Sequence, residues 1–425
     1  MKRFFCVTLA ILLTLALVAC GGKERAKEEA PAWAGQFAAG YGKANVTPDW
    51  QVVMGGYSAT GEETRKSTGV LNDLYITCVA LTDESGNTAL LYTYDSKSID
   101  TKSANTMRAA ISEATGVPVA QIYVSATHTH SAPNHDTTYL NLATEGAIQA
   151  AKDALADRAA VKVEHIATEL QNMSYVRHYM TDTGIVVGSN FKPDGAGKRV
   201  SHTTEADKEL RLIRLSREGK QPILMANWLG HNSIASTGTT DFGKAHRYFI
   251  SADYVGFTRD YIEKNSDYLF ALYMGASGNI SVHGSLPGEN AHSTPIEYGD
   301  QLGQMILDTA QQPMTAVTTG AVGTATTQFD GVTRTFDIDA MGIGGIGIVS
   351  APVEMFDTTS MAIREKSPYE VTFVLSLCNG GNGYLPTEIC YDYIDCYECR
   401  GGNFKAGDAE RIVDIYVDLL NQAKG

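Results

Sequence analysis

The chain has 425 residues, 44% of them hydrophobic and only 19% charged, which excludes a disordered polypeptide and allows one large domain or two smaller ones. Its formal net charge of −14 argues against a nucleic-acid partner, whose phosphates it would repel, while leaving a membrane role open.

Residues 1–19 read as an export signal: Lys2 and Arg3 give the positive start, and 7–18 form an apolar run too short to span a bilayer comfortably. Leu17-Val18-Ala19-Cys20 looks like a bacterial lipobox, in which cleavage before the cysteine leaves Cys20 to be lipidated. Residues 20–37 then make a lipidated cysteine and a charged, glycine-led flexible tether, so the mature protein is expected outside the cytoplasm, anchored to the membrane. Residues 38–425 read as one large folded region, with no obvious linker dividing them.

After an extended opening at 40–48 comes a turn-rich stretch with Gly55-Gly56-Tyr57. Residues 74–81 and 88–94 read as strands, and the second ends at Asp95, either a helix cap or a site residue. An amphipathic helix over 103–115 stops at Gly116, a β-branched and aromatic strand covers 121–124, and a second helix spans 142–156. A strand at 161–170 leads to a loop bearing Arg177 and His178, and 181–205 reads as an irregular surface loop. Residues 210–215 and 222–229 form a hairpin, 254–264 a helix, 269–274 a strand and 296–309 a helix. Residues 320–340 are strand-like, 342–350 a glycine-rich apolar strand, 371–378 a buried strand and 408–421 a closing helix. Strands alternating with helices throughout, with no internal repeat, predict an α/β or mixed α+β catalytic domain.

Polar residues collect where apolar strands end. Ser125-Ala126-Thr127-His128-Thr129-His130-Ser131 follows the strand at 121–124, and side chains two apart on an extended segment share a face. His231 follows 222–229, a turn with Ser277 and Ser281 follows 269–274, Glu354 follows 342–350, and Tyr384 lies in a glycine-rich loop after 371–378. His128, His231, Glu354 and Tyr384 together offer nitrogen and oxygen ligands suited to zinc, placed as ligand sites in α/β folds usually are. Taken singly, each has a plainer reading as a hydrogen-bonded histidine, a capping serine or loop punctuation.

Of the seven cysteines, Cys78 and Cys378 sit in apolar strands and read as inert core thiols. Two of Cys390, Cys396 and Cys399 are expected to form a disulfide, with the pairing open. A zinc site built from these three and a histidine is the alternative, although no histidine lies near them in sequence.

Across residues 38–422 the chain resembles the catalytic domain of the neutral (alkaline, non-lysosomal) ceramidase family. The resemblance rests on Ala44-Asn45-Val46-Thr47-Pro48, Gly55-Gly56-Tyr57, the His128 motif, Asn227-Trp228-Leu229-Gly230-His231 and Ile250-Ser251-Ala252-Asp253-Tyr254. Pro352-Val353-Glu354-Met355-Phe356 and the stretch from Gly383-Tyr384 to Tyr397-Glu398 complete it in order. It implies Zn²⁺ held by His128, His231, Glu354 and Tyr384, with His130, Arg177 and Tyr397 lining the substrate amide. It also implies an active serine, Ser281 in the register Gly278-Asn279-Ile280-Ser281, or Ser277 in a competing register. Here Asn279 replaces an acid, Val282 a proline and His283 an asparagine, and the β-sandwich domain that follows in larger members is not seen.

The expected activity is zinc-dependent hydrolysis of the N-acyl amide of ceramide or a related lipid to a fatty acid and an amine. Ser281 would act as nucleophile or orient the water, and His130 would shuttle the proton. Two alternatives remain: the same reaction on another N-acylated amine or peptide-like amide, and a catalytically silent surface lipoprotein that binds metal or lipid.

Overall fold

The computed structural model describes residues 33, 35–56, 65–188, 197–236 and 240–424. The export signal, Cys20, most of the tether and Tyr57 lie outside the described residues.

Most of the strands belong to two packed sheets. The larger runs, in spatial order, Leu269–Met274, Ile223–Trp228, Glu209–Arg217, Ala159–Glu169, Ala38–Asn45, Tyr75–Thr82, Thr88–Tyr94 and Ile122–Ala126, with Thr315–Ala316 also paired to Ala159–Glu169. Its centre is antiparallel, but both ends are parallel: Ile223 pairs with Leu269 at one side and Leu90 with Ile122 at the other. The second sheet has four strands, Val322–Asp330, Thr335–Ile343, Ile346–Ala351 and Val371–Ser376, the last two parallel.

Alternation along the strands explains the layering, because successive side chains face opposite ways. Val79, Leu91, Met225 and Tyr273 of the large sheet meet Met341, Ile348, Phe373 and Leu375 of the small one in a shared apolar core. The opposite face of the large sheet is covered by Thr101–Thr115 and Thr137–Ala156 at one end and by Asp253–Asn265 and Pro295–Ala310 at the other. Asp357–Glu365 and Asp408–Lys424 cover the small sheet, giving a helix–sheet–sheet–helix stack, the mixed α/β class expected. Gly42 shows how close the second helix approaches: a Cβ there would lie 2.0 Å from the Ala150 carbonyl oxygen.

Several boundaries differ from the sequence reading. The helix expected at 142–156 begins at Thr137, one turn earlier, because the Asp136 side chain accepts from the Tyr139 amide at 2.8 Å. The expected surface loop at 181–205 instead contributes Val186–Val187 and Arg199–His202 to a three-stranded sheet with Tyr179–Thr181. Those strands are short and polar, so alternation over four or more residues never develops. The single strand-like stretch at 320–340 is a hairpin, and the glycine-rich run beyond it turns at Gly344 before Ile346–Ala351. The expected disulfide is not formed: Cys390, Cys396 and Cys399 are all free thiols, and Cys396 and Cys399 sulfurs stand 3.2 Å apart, in contact and unbonded. Cys78 and Cys378 are buried, as expected.

Candidate metal centre and active site

Five of the parallel-paired strands deliver polar residues to one place. Ile122–Ala126 leads to His128 and His130, Ile223–Trp228 to His231, Leu269–Met274 to Ser277 and Ser281, Ile346–Ala351 to Glu354, and Val371–Ser376 to Tyr384. The two sheets are sewn together there: Asn379 donates its backbone N–H to the Val124 carbonyl at 2.9 Å and accepts the Val124 N–H on its side chain at 3.0 Å. The site is therefore built at strand carboxyl ends, where side chains emerge without sheet partners.

His128 takes a left-handed backbone, φ +62°, uncommon for a residue with a side chain and costing on the order of 1–3 kcal/mol. Its Nδ1 is 2.7 Å from the Lys97 carbonyl oxygen, so Nδ1 donates and Nε2 presents its lone pair inward. His231 is held the same way, Nδ1 donating to the Ser277 carbonyl at 3.0 Å. His130 brings its Nε2 to 3.4 Å from that of His128, and the ligand atoms of His128, His130 and His231 lie within 4.8 Å of one another. Burial, then the mutual proximity of the imidazoles, pushes the pKa of His130 well below the ordinary value; burial and His128 do the same for His231. Both rings are thus neutral and able to ligate.

Glu354 faces this cluster. Its Oε2 is 3.2 Å from His128 Nε2, is buried, and accepts no hydrogen bond. Burial raises its pKa, but positive charge at the His128 and His231 positions, with a hydrogen bond from Tyr384, outweighs that and lowers it to about 2. With the His128 proton on Nδ1, two lone pairs point at each other across 3.2 Å, and a positive charge must lie between them. A proton would serve one pair of atoms; three clustered imidazoles with a carboxylate facing one of them fit a metal ion. The sequence expectation divides His128 and His130 into ligand and proton carrier, and the structure places both rings in one cluster.

Tyr384 lies directly across from Glu354 in a two-residue parallel pairing, and its hydroxyl is pushed well above its usual pKa by burial and by Glu354, against the pull of Arg177. The Arg177 guanidinium sits 5.4 Å from the Tyr384 ring centroid. It is fixed by Nε to Glu398 Oε1 at 2.7 Å and by Nη2 to the Gly278 carbonyl at 2.7 Å. Tyr397 packs its ring 5.6 Å from Tyr384 and is itself exposed.

Ser281 lines a cavity of about 940 Å³ together with Arg177 and His231. Its Oγ donates to the His283 carbonyl at 3.0 Å and accepts the His283 amide at 3.1 Å. Ser277, the competing register, is fully buried with its Oγ making no hydrogen bond, and serves His231 through its carbonyl. Asn279, standing where an acid was expected, donates to Asp357 Oδ1 at 2.7 Å and accepts the Asp357 amide at 3.0 Å.

Several supports escaped the sequence reading. Glu398 orients Arg177 from 221 residues away. Asp95 is neither a cap nor a site residue: it makes a buried ion pair with Arg259 at 2.9 Å and accepts from Thr127 Oγ1 at 3.2 Å, just before His128. Asp100 is the residue that caps the first helix. A lone acid after a strand carries no signal for a partner 164 positions on.

The family described as neutral/alkaline non-lysosomal ceramidase, N-terminal, matches residues 37–271, more than half of the chain. No curated protein matches the sequence. Among solved structures, a ceramidase complexed with C2 superimposes with a TM-score of 0.74 at 15% identity, covering 91% of this chain and 75% of that one. The neutral ceramidase of Pseudomonas aeruginosa gives 0.72 at 16% identity, covering 91% and 74%. At such identities these likenesses speak for the fold.

Proposed function

The chain belongs to the neutral/alkaline non-lysosomal ceramidase family, and from that premise we propose a zinc-dependent hydrolase that splits the N-acyl amide of ceramide, or a related N-acyl sphingoid lipid, into a fatty acid and a free amine. The observation that carries the zinc assignment is the buried Glu354 Oε2, without a hydrogen-bond donor, 3.2 Å from the inward nitrogen of His128. His128, His231, Glu354 and Tyr384 would hold the ion. When bound, zinc lowers the pKa of a coordinated water to about 7 and polarises the substrate carbonyl.

The remaining work falls to the protein. Arg177, held rigid by Glu398 and Gly278, points its charge to where the amide oxygen becomes negative, with Tyr397 beside it. Neutral His130 takes a proton as the carbon–oxygen bond forms and returns it to the amine nitrogen as the carbon–nitrogen bond breaks. Ser281, on the cavity wall next to Arg177 and His231, supplies a hydroxyl either as nucleophile or to orient the water.

The test is sphingosine release from ceramide by the purified protein, followed by thin-layer chromatography, with metal analysis. EDTA should abolish turnover and Zn²⁺ restore it. Full activity in His128→Ala would overturn the ligand assignment.

A second reading, the same chemistry on a different N-acylated amine, draws support from the cavity wall. Arg199, Asp241, His283 and His292 line it, a polar surface for a lipid tail. N-acyl amino acids assayed beside a ceramide series separate the two by kcat/KM.

The tethering lipid on Cys20 is a further part of the proposal, resting on the lipobox-like sequence alone. Among the described residues no helix is long and apolar enough to cross a membrane. Mass analysis of the mature amino terminus would decide the matter: an unmodified Cys20 removes the anchor.

A further inference from the structure

Behind Arg177 lies a second cluster of metal-binding side chains. Cys396-Tyr397-Glu398-Cys399 places two thiols at Cys-x-x-Cys spacing where the chain enters the short turn Glu398–Gly401. His178, next to Arg177 in sequence, reaches the same point from between Tyr175–Val176 and Tyr179–Thr181. The sequence reading found no histidine near these cysteines; the fold supplies one from 218 residues away.

Three donors, from His178, Cys396 and Glu398, meet at one point, and the second thiol adjoins them through Cys396. His178 Nε2 is 3.2 Å from Glu398 Oε2, and Cys396 Sγ is 3.4 Å from that oxygen and 4.0 Å from His178 Nε2. Cys399 Sγ is 3.2 Å from Cys396 Sγ. Zinc bonds of about 2.0 Å to nitrogen and oxygen and about 2.3 Å to sulfur put tetrahedral ligands roughly 3.3–3.8 Å apart. His178, Cys396 and Glu398 are all buried, and their ligand atoms fall within 4.8 Å of one another.

We propose that His178 Nε2, Cys396 Sγ, Cys399 Sγ and Glu398 Oε2 bind a second zinc ion, in a structural site separate from the His128 centre. The donor set is closed, with two sulfurs, a nitrogen and an oxygen and no position for substrate, which is the pattern of a structural zinc. Its role follows from what it pins. Tyr397 lies between the two thiols, and Glu398 uses its other oxygen, Oε1, to hold Arg177. One ion would thus fix both residues assigned to the substrate carbonyl. Binding displaces the thiol protons of Cys396 and Cys399 to solvent and involves no change of oxidation state. The rival chemistry is a disulfide from Cys396 to Cys399 or to Cys390, which is hydrogen-bonded to Cys396.

Metal analysis of the full-length protein, purified without reductant or chelator, tests this. A second zinc equivalent is expected in the wild type. It should be lost in Cys399→Ser and in His178→Ala and retained in His231→Ala, which loses the other. A mercurial reagent with a zinc-sensing dye should release only the thiolate-held equivalent from the wild type. Cobalt-exchanged wild-type protein should show a thiolate-to-cobalt charge-transfer band in the near ultraviolet, still present in His128→Ala. Because the dye and cobalt measurements use the wild type, they stand even where a variant fails to fold. Zinc confined to one equivalent that His231→Ala removes, no mercurial-released zinc, or thiols blocked to alkylation until reduced would each overturn the proposal. None of these outcomes depends on whether the His128 centre hydrolyses ceramide.

Discussion

Glu354 and Tyr384 stand opposite each other, Cα against Cα, in a parallel ladder only two residues long. The Glu354 amide donates to the Gly383 carbonyl at 2.9 Å, which fixes the register. A carboxylate and a phenol 30 positions apart in sequence are thereby made neighbours by backbone pairing alone, before either side chain binds anything.

Tyr384→Phe should keep this ladder and the ring that packs between Arg177 and Tyr397, removing only the hydroxyl. If that oxygen helps hold the ion, zinc affinity and kcat should fall by about 10–100-fold with little change in stability. Glu354→Gln, which removes the charge facing His128, should lose more. Zinc per chain and steady-state rates for the two variants check this, and wild-type zinc affinity in Tyr384→Phe would remove the tyrosine from the ligand set.

Arg177 and Glu398 form a buried ion pair at 2.7 Å. Arg177→Ala leaves the Glu398 oxygen that faces Arg177 charged and without its guanidinium partner, and should destabilise the protein by about 3–5 kcal/mol. Arg177→Lys keeps the charge but cannot span Glu398 and the Gly278 carbonyl together. Its stability loss should be smaller, while kcat drops by about 10²–10³-fold through the lost carbonyl donor. Urea unfolding at constant m-value, alongside rates, separates the two effects.

What could be read from the sequence follows from what leaves a local pattern. Apolar runs ending in polar residues marked the strands at 121–124, 222–229, 269–274 and 371–378, and with them His128, His231, Ser277 and Tyr384. Helices with one apolar face were equally legible. The helix Asp357–Glu365 was not: it is short, its buried face includes Asp357, Thr359 and Ser360, and no apolar stripe develops. The two- to four-residue strands around and after Arg177 escaped for the same reason. Long-range polar pairs left no local trace at all. Asp95 with Arg259, Arg177 with Glu398 and His178 with Cys396 become visible only once the fold closes over them. The three clustered cysteines illustrate the limit: their proximity was plain, but the histidine and carboxylate among them decide their chemistry.

Gly56, from the glycine-rich turn near the start, is pressed against the histidine motif. A Cβ there would lie 1.9 Å from the His130 carbonyl oxygen and 2.8 Å from its carbonyl carbon. Backbone cannot yield as a flexible side chain does, so Gly56→Ala should cost about 1–3 kcal/mol and shift His130. Activity should fall further than that stability loss explains, since zinc and proton transfer both depend on where the imidazole sits. A variant with wild-type kcat at a temperature well below its unfolding midpoint would count against this coupling.

Asn279 tests the departure of the serine turn from its family pattern. Its amide nitrogen donates to Asp357 Oδ1 at 2.7 Å, and Asp357 is buried, which raises its pKa. A carboxyl whose folded pKa is raised contributes stability below its unfolded pKa and loses it as pH rises through the folded value. Asn279 limits that loss by giving the ionised Asp357 a donor. Restoring an acid with Asn279→Asp sets two carboxyls at this distance. At mildly acidic pH they share one proton and tolerate each other, whereas at neutral pH both tend to ionise in a buried place. The variant should therefore be destabilised by about 3 kcal/mol near neutrality and markedly less near pH ~5, the reverse of the usual acid sensitivity of paired carboxylates. Urea midpoints at the two pH values measure this. Equal destabilisation at both would mean that the Asn279 amide contributes through shape alone, and the charge argument would fail.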